Sequence, residues 1–220
     1  MKAIFFDANG VIYYRCEQNR YLKDFLQKNN LALPSGEVLS AQTEELHDAA
    51  LRGQIPQEDY LNAILKACGA KGLSLLKEGR VAIEKDHGNI VLFPMVKDTL
   101  DTLKGRGFLV GVITDAGVNK STKLAWFKEQ GLDIVWDAYA NSMDLKTRKP
   151  DLRMFEAALV EAGVTADETV FVGHDVRELN GARRAGLRTI AFNYDPDVEA
   201  DYFIDKFEDL LILPILCQIE

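Results

Sequence analysis

The chain has 220 residues and a formal net charge of −8, from 34 acidic against 26 basic residues. That balance argues against a nucleic-acid binder, which needs a basic face. No run approaches the roughly 20 apolar residues of a membrane span, and Asp7 interrupts the first apolar run too early for a secretory leader. The length suits one large domain, or a core with a smaller insert. Cys16, Cys68 and Cys217 are far apart and form no CxxC pair. Neither a zinc site nor a disulfide framework follows, and reduced thiols in the cytoplasm are expected.

Ala3-Ile4-Phe5-Phe6 is a short apolar run that ends on Asp7. It predicts a buried parallel strand with Asp7 at its carboxyl end, followed by a tight turn at Asn9-Gly10. Four helical patterns come next. Tyr21, Leu22, Phe25 and Leu26 share a face, and Pro34 or Ser35 opens a second helix with Val38, Leu39 and Leu46. Tyr60 to Cys68 repeats at helical spacing and stops at Gly69, and a fourth helix fits Leu75 to His87. No strand signal divides them, so they predict a small bundle packed beside a sheet.

From Phe93 the pattern alternates between helix and strand. Helices are predicted from Pro94, from Asn119, from Asp151 and after Asp175, and a last one over Phe207 to Leu211. Strands are predicted at Phe108–Ile113, Ile134–Trp136, Thr169–Val172 and Leu187–Phe192, with an edge strand at Tyr202–Ile204. The fold class is therefore α/β, a doubly wound parallel sheet. The core is expected over residues 1–14 and 90–220, with a four-helix insert over 15–89.

Strands ending in Asp7, Thr114-Asp115 and His174-Asp175 bring these residues to one sheet edge, with Lys149 supplied between the second and third. A carboxylate nucleophile, a hydroxyl, a cation and further carboxylates suit phosphoryl transfer, where positioning and electrostatics carry the catalysis. Asp7 would attack phosphorus and form an aspartyl-phosphate. Thr114, its neighbouring amides in the Asp115 loop, and Lys149 would bind the phosphate. A divalent cation would bridge the mutually repelling carboxylates and phosphate.

These motifs resemble those of the haloacid-dehalogenase superfamily of hydrolases along the whole chain. Asp7-Ala8-Asn9-Gly10-Val11 is similar to the first motif, Thr114 to the second, Lys149-Pro150-Asp151 to the third. Gly173-His174-Asp175-Val176-Arg177-Glu178, continued by Leu179-Asn180-Gly181-Ala182, is similar to the fourth. The helical insert resembles that family's C1-type cap, and Arg52-Gly53-Gln54-Ile55 a turn common in such caps. The resemblance implies a Rossmann-type core and Mg²⁺ or another divalent cation. Its implied ligands are Asp7, the Asn9 carbonyl, Glu178, and Asp175 or His174. The implied partner is a small phosphorylated metabolite.

Two departures stand out. The family's phosphatases usually carry an acid–base Asp where this chain has Asn9, and an amide shuttles no proton at neutral pH. A metal-binding Asp is replaced by His174, and a later one by Glu178. His174 either coordinates, favouring later transition metals, or points aside and leaves Mg²⁺ to Asp175 and Glu178; the second is expected. Besides a phosphatase, the sequence is compatible with a 2-haloacid dehalogenase, since F-D-A-x-G occurs in that branch, or with a phospholigand- or partner-binding protein whose site is disabled. His47 is expected at the surface, His87 at a helix end, and Trp126 and Trp136 in the core. Tyr13, Tyr14 and Arg15 are candidates for lining the substrate cleft.

Overall fold

The computed structural model describes residues 1–217. Its first elements are β1 (Ala3–Phe6) and β2 (Tyr13–Tyr14), then four helices: α1 (Arg20–Lys28), α2 (Gly36–Leu51), α3 (Gln57–Ala67) and α4 (Leu73–Gly88). There follow β3 (Val91–Leu92), α5 (Val96–Gly105), β4 (Leu109–Thr114), α6 (Lys120–Glu129), β5 (Ala138–Asn141), the short α7 (Ser142–Leu145) and α8 (Leu152–Ala162). The last elements are β6 (Thr169–Gly173), α9 (Val176–Arg184), β7 (Arg188–Phe192), β8 (Tyr202–Ile204) and 3₁₀ turns over Phe207–Ile212 and Pro214–Leu216. No helix among the described residues is long and apolar enough to cross a membrane.

The six-stranded sheet runs β5-β4-β1-β6-β7-β8, and every pairing in it is parallel. β1 is central, and the chain leaves it first towards β4 and β5, then returns to β6, β7 and β8. The order therefore reverses beside β1, which opens a crevice at its carboxyl end. All four β1 residues are buried, as a strand covered on both faces requires. Ile4 and Phe6 pack with Val110, Val112 and Phe127 on one face, and Ala3 and Phe5 with Phe155 and Phe171 on the other. Each large side chain so buried contributes about 1.5–3 kcal/mol.

α1–α4 enclose a separate apolar cluster built on Leu22, Phe25, Leu61, Leu65 and Ile83. Gly79 sits inside α4 because a Cβ there would stand 2.5 Å from Leu65 Cδ2 and 2.9 Å from Phe25 Cε1, so only glycine lets the helices approach this closely. The two strands of chain that join this bundle to the sheet layer pair antiparallel, Tyr13 opposite Leu92 and Tyr14 opposite Val91. The sequence reading missed this β2–β3 pair, because two-residue strands carry no period.

Ile134–Trp136 is not a strand. Strand pairing begins at Ala138, opposite Gly111. Asp137 enters first, its backbone N–H donating to the Val110 carbonyl at 2.8 Å, while its Oδ2 accepts from Val110 N–H at 2.8 Å and Lys104 Nζ at 2.6 Å. Ile134 and Trp136 are apolar because they cover the sheet's apolar cluster, not because they pair within it. The segment at Phe207 forms a 3₁₀ turn in place of the expected helix.

Candidate active site

The loop after β1 is closed locally. Gly10 adopts φ +90°, its N–H donates to the Tyr13 carbonyl at 2.7 Å, and Ile12 N–H donates to the Ala8 carbonyl at 2.9 Å. Asp7 is thus fixed at the strand end, 5% exposed, with its N–H donating to Val172 of β6 at 2.9 Å. Thr114 closes β4, and His174 and Asp175 follow β6. Lys149 lies just before α8, its backbone N–H donating to Asp115 Oδ1 at 3.0 Å.

Asp7, Asn9, Thr114, Asp115, Lys149, His174, Asp175 and Glu178 all line one cavity of about 230 Å³. At its base the Lys149 ammonium donates to Asp7 Oδ1 and, at 2.5 Å, to Glu178 Oε2. The other Glu178 oxygen accepts the backbone N–H groups of His174 at 2.7 Å and Asp175 at 3.2 Å. Burial, then Glu178, pushes the Asp7 carboxyl up to about 6, with Lys149 and His174 pulling it back. Burial works against the Lys149 ammonium, but Asp7, Glu178 and Asp115 outweigh it and hold it well above the usual lysine value. Glu178 is also buried, yet Lys149 and His174 hold its carboxyl below the usual range.

His174 does not point aside. Its Nδ1 faces Glu178 Oε1 at 3.0 Å and Asp7 Oδ2 at 3.7 Å, buried and without an aligned hydrogen bond among the described residues. Burial opposes its protonation, but Glu178 and Asp7 prevail and raise its pKa. Asp175, expected to share in holding a metal, is engaged elsewhere. Its Oδ1 accepts Arg177 N–H at 2.6 Å and Glu178 N–H at 3.3 Å, forming a capping box at the start of α9. The reason is that the first amides of a helix need an acceptor, and Asp is a preferred N-cap.

A divalent cation fits the donor set. Asp7, His174 and Glu178 each bring one ligand atom, all within 4.8 Å of one another. Two carboxylates and the His174 imidazole nitrogen, in its neutral form, suit a mixed oxygen–nitrogen shell.

The sequence reading passed over two lining residues, Arg148 and Arg177. Arg148 was legible only as the neighbour of Lys149; in the structure it pairs with Asp48 of α2 at 3.0 Å and Asp115 at 3.4 Å. A second cavity, also about 230 Å³, lies between the bundle and the sheet layer and shares Asn9 and Asp115 with the first. Tyr13, Arg15, His47, His87 and Trp126 line it, whereas Trp136 is buried in the core. His47 is exposed, as expected, but its ring stacks on Tyr60 at 4.7 Å. Ser142 ties the two layers beside this cavity, accepting Ala116 N–H at 3.0 Å and donating to the Leu51 carbonyl at 2.7 Å.

The chain is 33% identical over 101 residues to (S)-2-haloacid dehalogenase 4A of Burkholderia cepacia, covering 46% of this chain and 43% of that protein. It is 27% identical over 146 residues to phosphoglycolate phosphatase of Salmonella typhi, covering 60% of this chain and 56% of that protein. The chain thus spans about half the length of the curated relatives it matches. Its fold is similar to that of a 2-haloacid dehalogenase from Pseudomonas syringae pv. Tomato DC3000, with a TM-score of 0.74, 24% identity, and coverage of 96% of this chain and 97% of that one. Residues 1–186 match the family model of haloacid dehalogenase-like hydrolases, and with the carboxylate–lysine–carboxylate arrangement at the crevice of its sheet, the chain belongs to that family.

Proposed function

We propose that the chain is a metal-assisted phosphatase of a small phosphorylated metabolite, acting through an aspartyl-phosphate on Asp7. The observation that carries this reading is a buried carboxylate fixed by Lys149 in a cavity whose wall also presents Arg148, Arg177 and Thr114. Three cations and a hydroxyl around a nucleophile suit a dianionic phosphoryl group. A 2-haloacid, a monoanion through its carboxylate, carries less charge for them to neutralise than a phosphoryl dianion.

Asp7 Oδ1 is held by Lys149, which leaves Oδ2 to attack phosphorus. The Asp7 O–P bond forms as the bond to the leaving oxygen breaks; water then attacks phosphorus, releasing phosphate and restoring Asp7. Lys149 keeps Asp7 ionised and pairs with the phosphoryl oxygens, and Thr114 and the amides after it hold those oxygens. Glu178 positions Lys149. A divalent cation, Mg²⁺ or a later metal, held by Asp7, His174, Glu178 and the Asn9 carbonyl would supply charge neutralisation between nucleophile and phosphoryl group. Asn9 gives no proton to the leaving group, so activated esters such as aryl phosphates should react best. Residues 15–89 act as a cap over the core of 1–14 and 90–220, with the substrate entering between them. All three cysteines are free, Cys68 buried and Cys16 and Cys217 exposed, which suits work in the cytoplasm.

A second reading rests on Asn9 itself. Attack of Asp7 on the carbon of a 2-haloacid, with loss of halide, needs no leaving-group proton. Assaying a panel of phosphate esters and 2-haloacids, each with Mg²⁺, with Mn²⁺ and with EDTA, separates the two. The proposal expects turnover of phosphate esters that EDTA abolishes. Halide release that persists in EDTA would establish the second reading, and no turnover of either class would leave a binding protein.

A further inference from the structure

We propose that the second cavity is an anion subsite, in which Lys123 and Arg15 hold a carboxylate or second phosphate carried by the substrate's leaving group. The assignment of that group to a leaving group rests on the phosphatase reading; the anion site itself does not.

Lys123 is 3% exposed on α6. Its ammonium donates to the Tyr13 hydroxyl at 2.6 Å and lies over the Tyr13 and Trp126 rings, 4.9 and 5.3 Å from their centroids. Among the described residues no carboxylate lies within 4.0 Å of it. A buried ammonium without a counter-anion is costly, and Lys123 faces the cavity instead of being sealed in the core. Arg15 lines the same wall, its guanidinium 5.9 Å from the Tyr13 ring centroid and its Nε donating to the His87 carbonyl at 3.4 Å. The one carboxylate lining the cavity among the described residues is Asp115, which already faces Arg148 and the Lys149 backbone. His87 adds no charge of its own: burial first, then Arg15 and Lys123, pushes its pKa down to about 4, so it stays neutral.

The wall is also short of a donor. Gln57 Oε1 is buried with no hydrogen-bond partner among the described residues. Gln57 sits so close to Gly117 that a Cβ there would fall 2.0 Å from Oε1. A hydroxyl beside the anion would satisfy it. At about 230 Å³ the cavity has room for a three- or four-carbon acid. Its continuity with the Asp7 cavity at Asn9 and Asp115 lets one molecule span both. The substrate so selected is a short-chain phosphate monoester with a second negative group and a hydroxyl between them.

3-Phosphoglycerate and glycerol 3-phosphate serve as probes, differing in a carboxylate against a hydroxymethyl group. Calorimetry is run in the Asp7→Asn background with Mg²⁺, where no covalent step occurs. Expected is tighter binding of 3-phosphoglycerate by about tenfold or more, the factor one charge-assisted hydrogen bond supplies, falling to near unity in Lys123→Met. Arg15→Met carries the same comparison should Lys123→Met fail to fold. Equal affinity for the two probes, or a preference that survives both substitutions, overturns the subsite. Turnover by the unaltered chain is read separately. A calorimetric preference without hydrolysis of any phosphate ester keeps the subsite and removes the phosphatase reading.

Discussion

At the carboxyl end of β1, the Lys149 ammonium is bracketed by Asp7 and Glu178; across Asn9, the Lys123 ammonium is as deeply buried but meets only a tyrosine hydroxyl and two aromatic faces. The first site pairs its cation internally, and Lys149 favours the ionised form of both carboxylates, against the rise that Glu178 imposes on Asp7. The second is left positive. A charge-balanced cluster can work on a substrate without needing one to be stable, whereas an unbalanced cavity is completed by what binds there. The two also differ in origin. The balanced site is assembled from strand ends and the Lys149 loop, the unbalanced one from a helix face, a linker strand and the bundle.

Removing the nucleophile is the sharpest way to break the first site. Asp7→Asn should lower turnover by at least about 10³-fold while far-ultraviolet circular dichroism stays native. Retention of most activity would remove Asp7 from the chemistry. Next comes stability, where the two lysines should part. Lys149→Met leaves Asp7 and Glu178 facing each other and should cost about 3–5 kcal/mol. Lys123→Met discards a buried charge that has no acid to pair with, losing one hydrogen bond of about 1 kcal/mol. Urea unfolding measures both, and equal losses would contradict the distinction.

Asn9 sits where the cavities join, and Asn9→Asp should sharpen the contrast between leaving groups. The expected gain is up to about 10²-fold on alkyl phosphates and clearly less on aryl phosphates. An equal gain on both, read from parallel rates, would mean that the leaving group draws its proton elsewhere. The smallest effect concerns His87, whose pKa should rise in Lys123→Met as one of the basic groups depressing it disappears. Ring-proton NMR titration reads it. The sign for stability follows from the depressed value. The unfolded chain takes up the His87 proton near pH 6.5 and the folded chain only near 4. The His87 contribution is therefore intact above about 6.5 and is lost as the pH falls through that window.

The sheet and the Asp7 cavity were legible because parallel strands buried on both faces leave apolar runs, and each run ends abruptly on a polar residue that the topology gathers at one edge. Asp7, Thr114 and His174 carry that signature. The β2–β3 pair did not show, since two residues set no period, and Ile134–Trp136 misled because covering a sheet and lying within it demand the same apolarity. Asp175 misled for a related reason: an aspartate before a helix serves as a cap or as a ligand, and only the placement of the Arg177 and Glu178 amides decides. Lys123 left one trace, a lysine four residues before Phe127 on the buried face of α6. That it faces a cavity depends on Tyr13 and on the bundle, and local sequence does not encode those contacts.

As the proposed nucleophile, Asp7 is phosphorylated during turnover. Single-turnover reaction with p-nitrophenyl phosphate and Mg²⁺, acid-quenched and analysed by peptide mass spectrometry, tests it most directly. A transient phosphoryl group is expected on the peptide containing Asp7, appearing with the nitrophenolate burst and decaying as phosphate is released. Nitrophenolate release with that peptide unmodified at every quench time, or with the phosphoryl group on another residue, would contradict it.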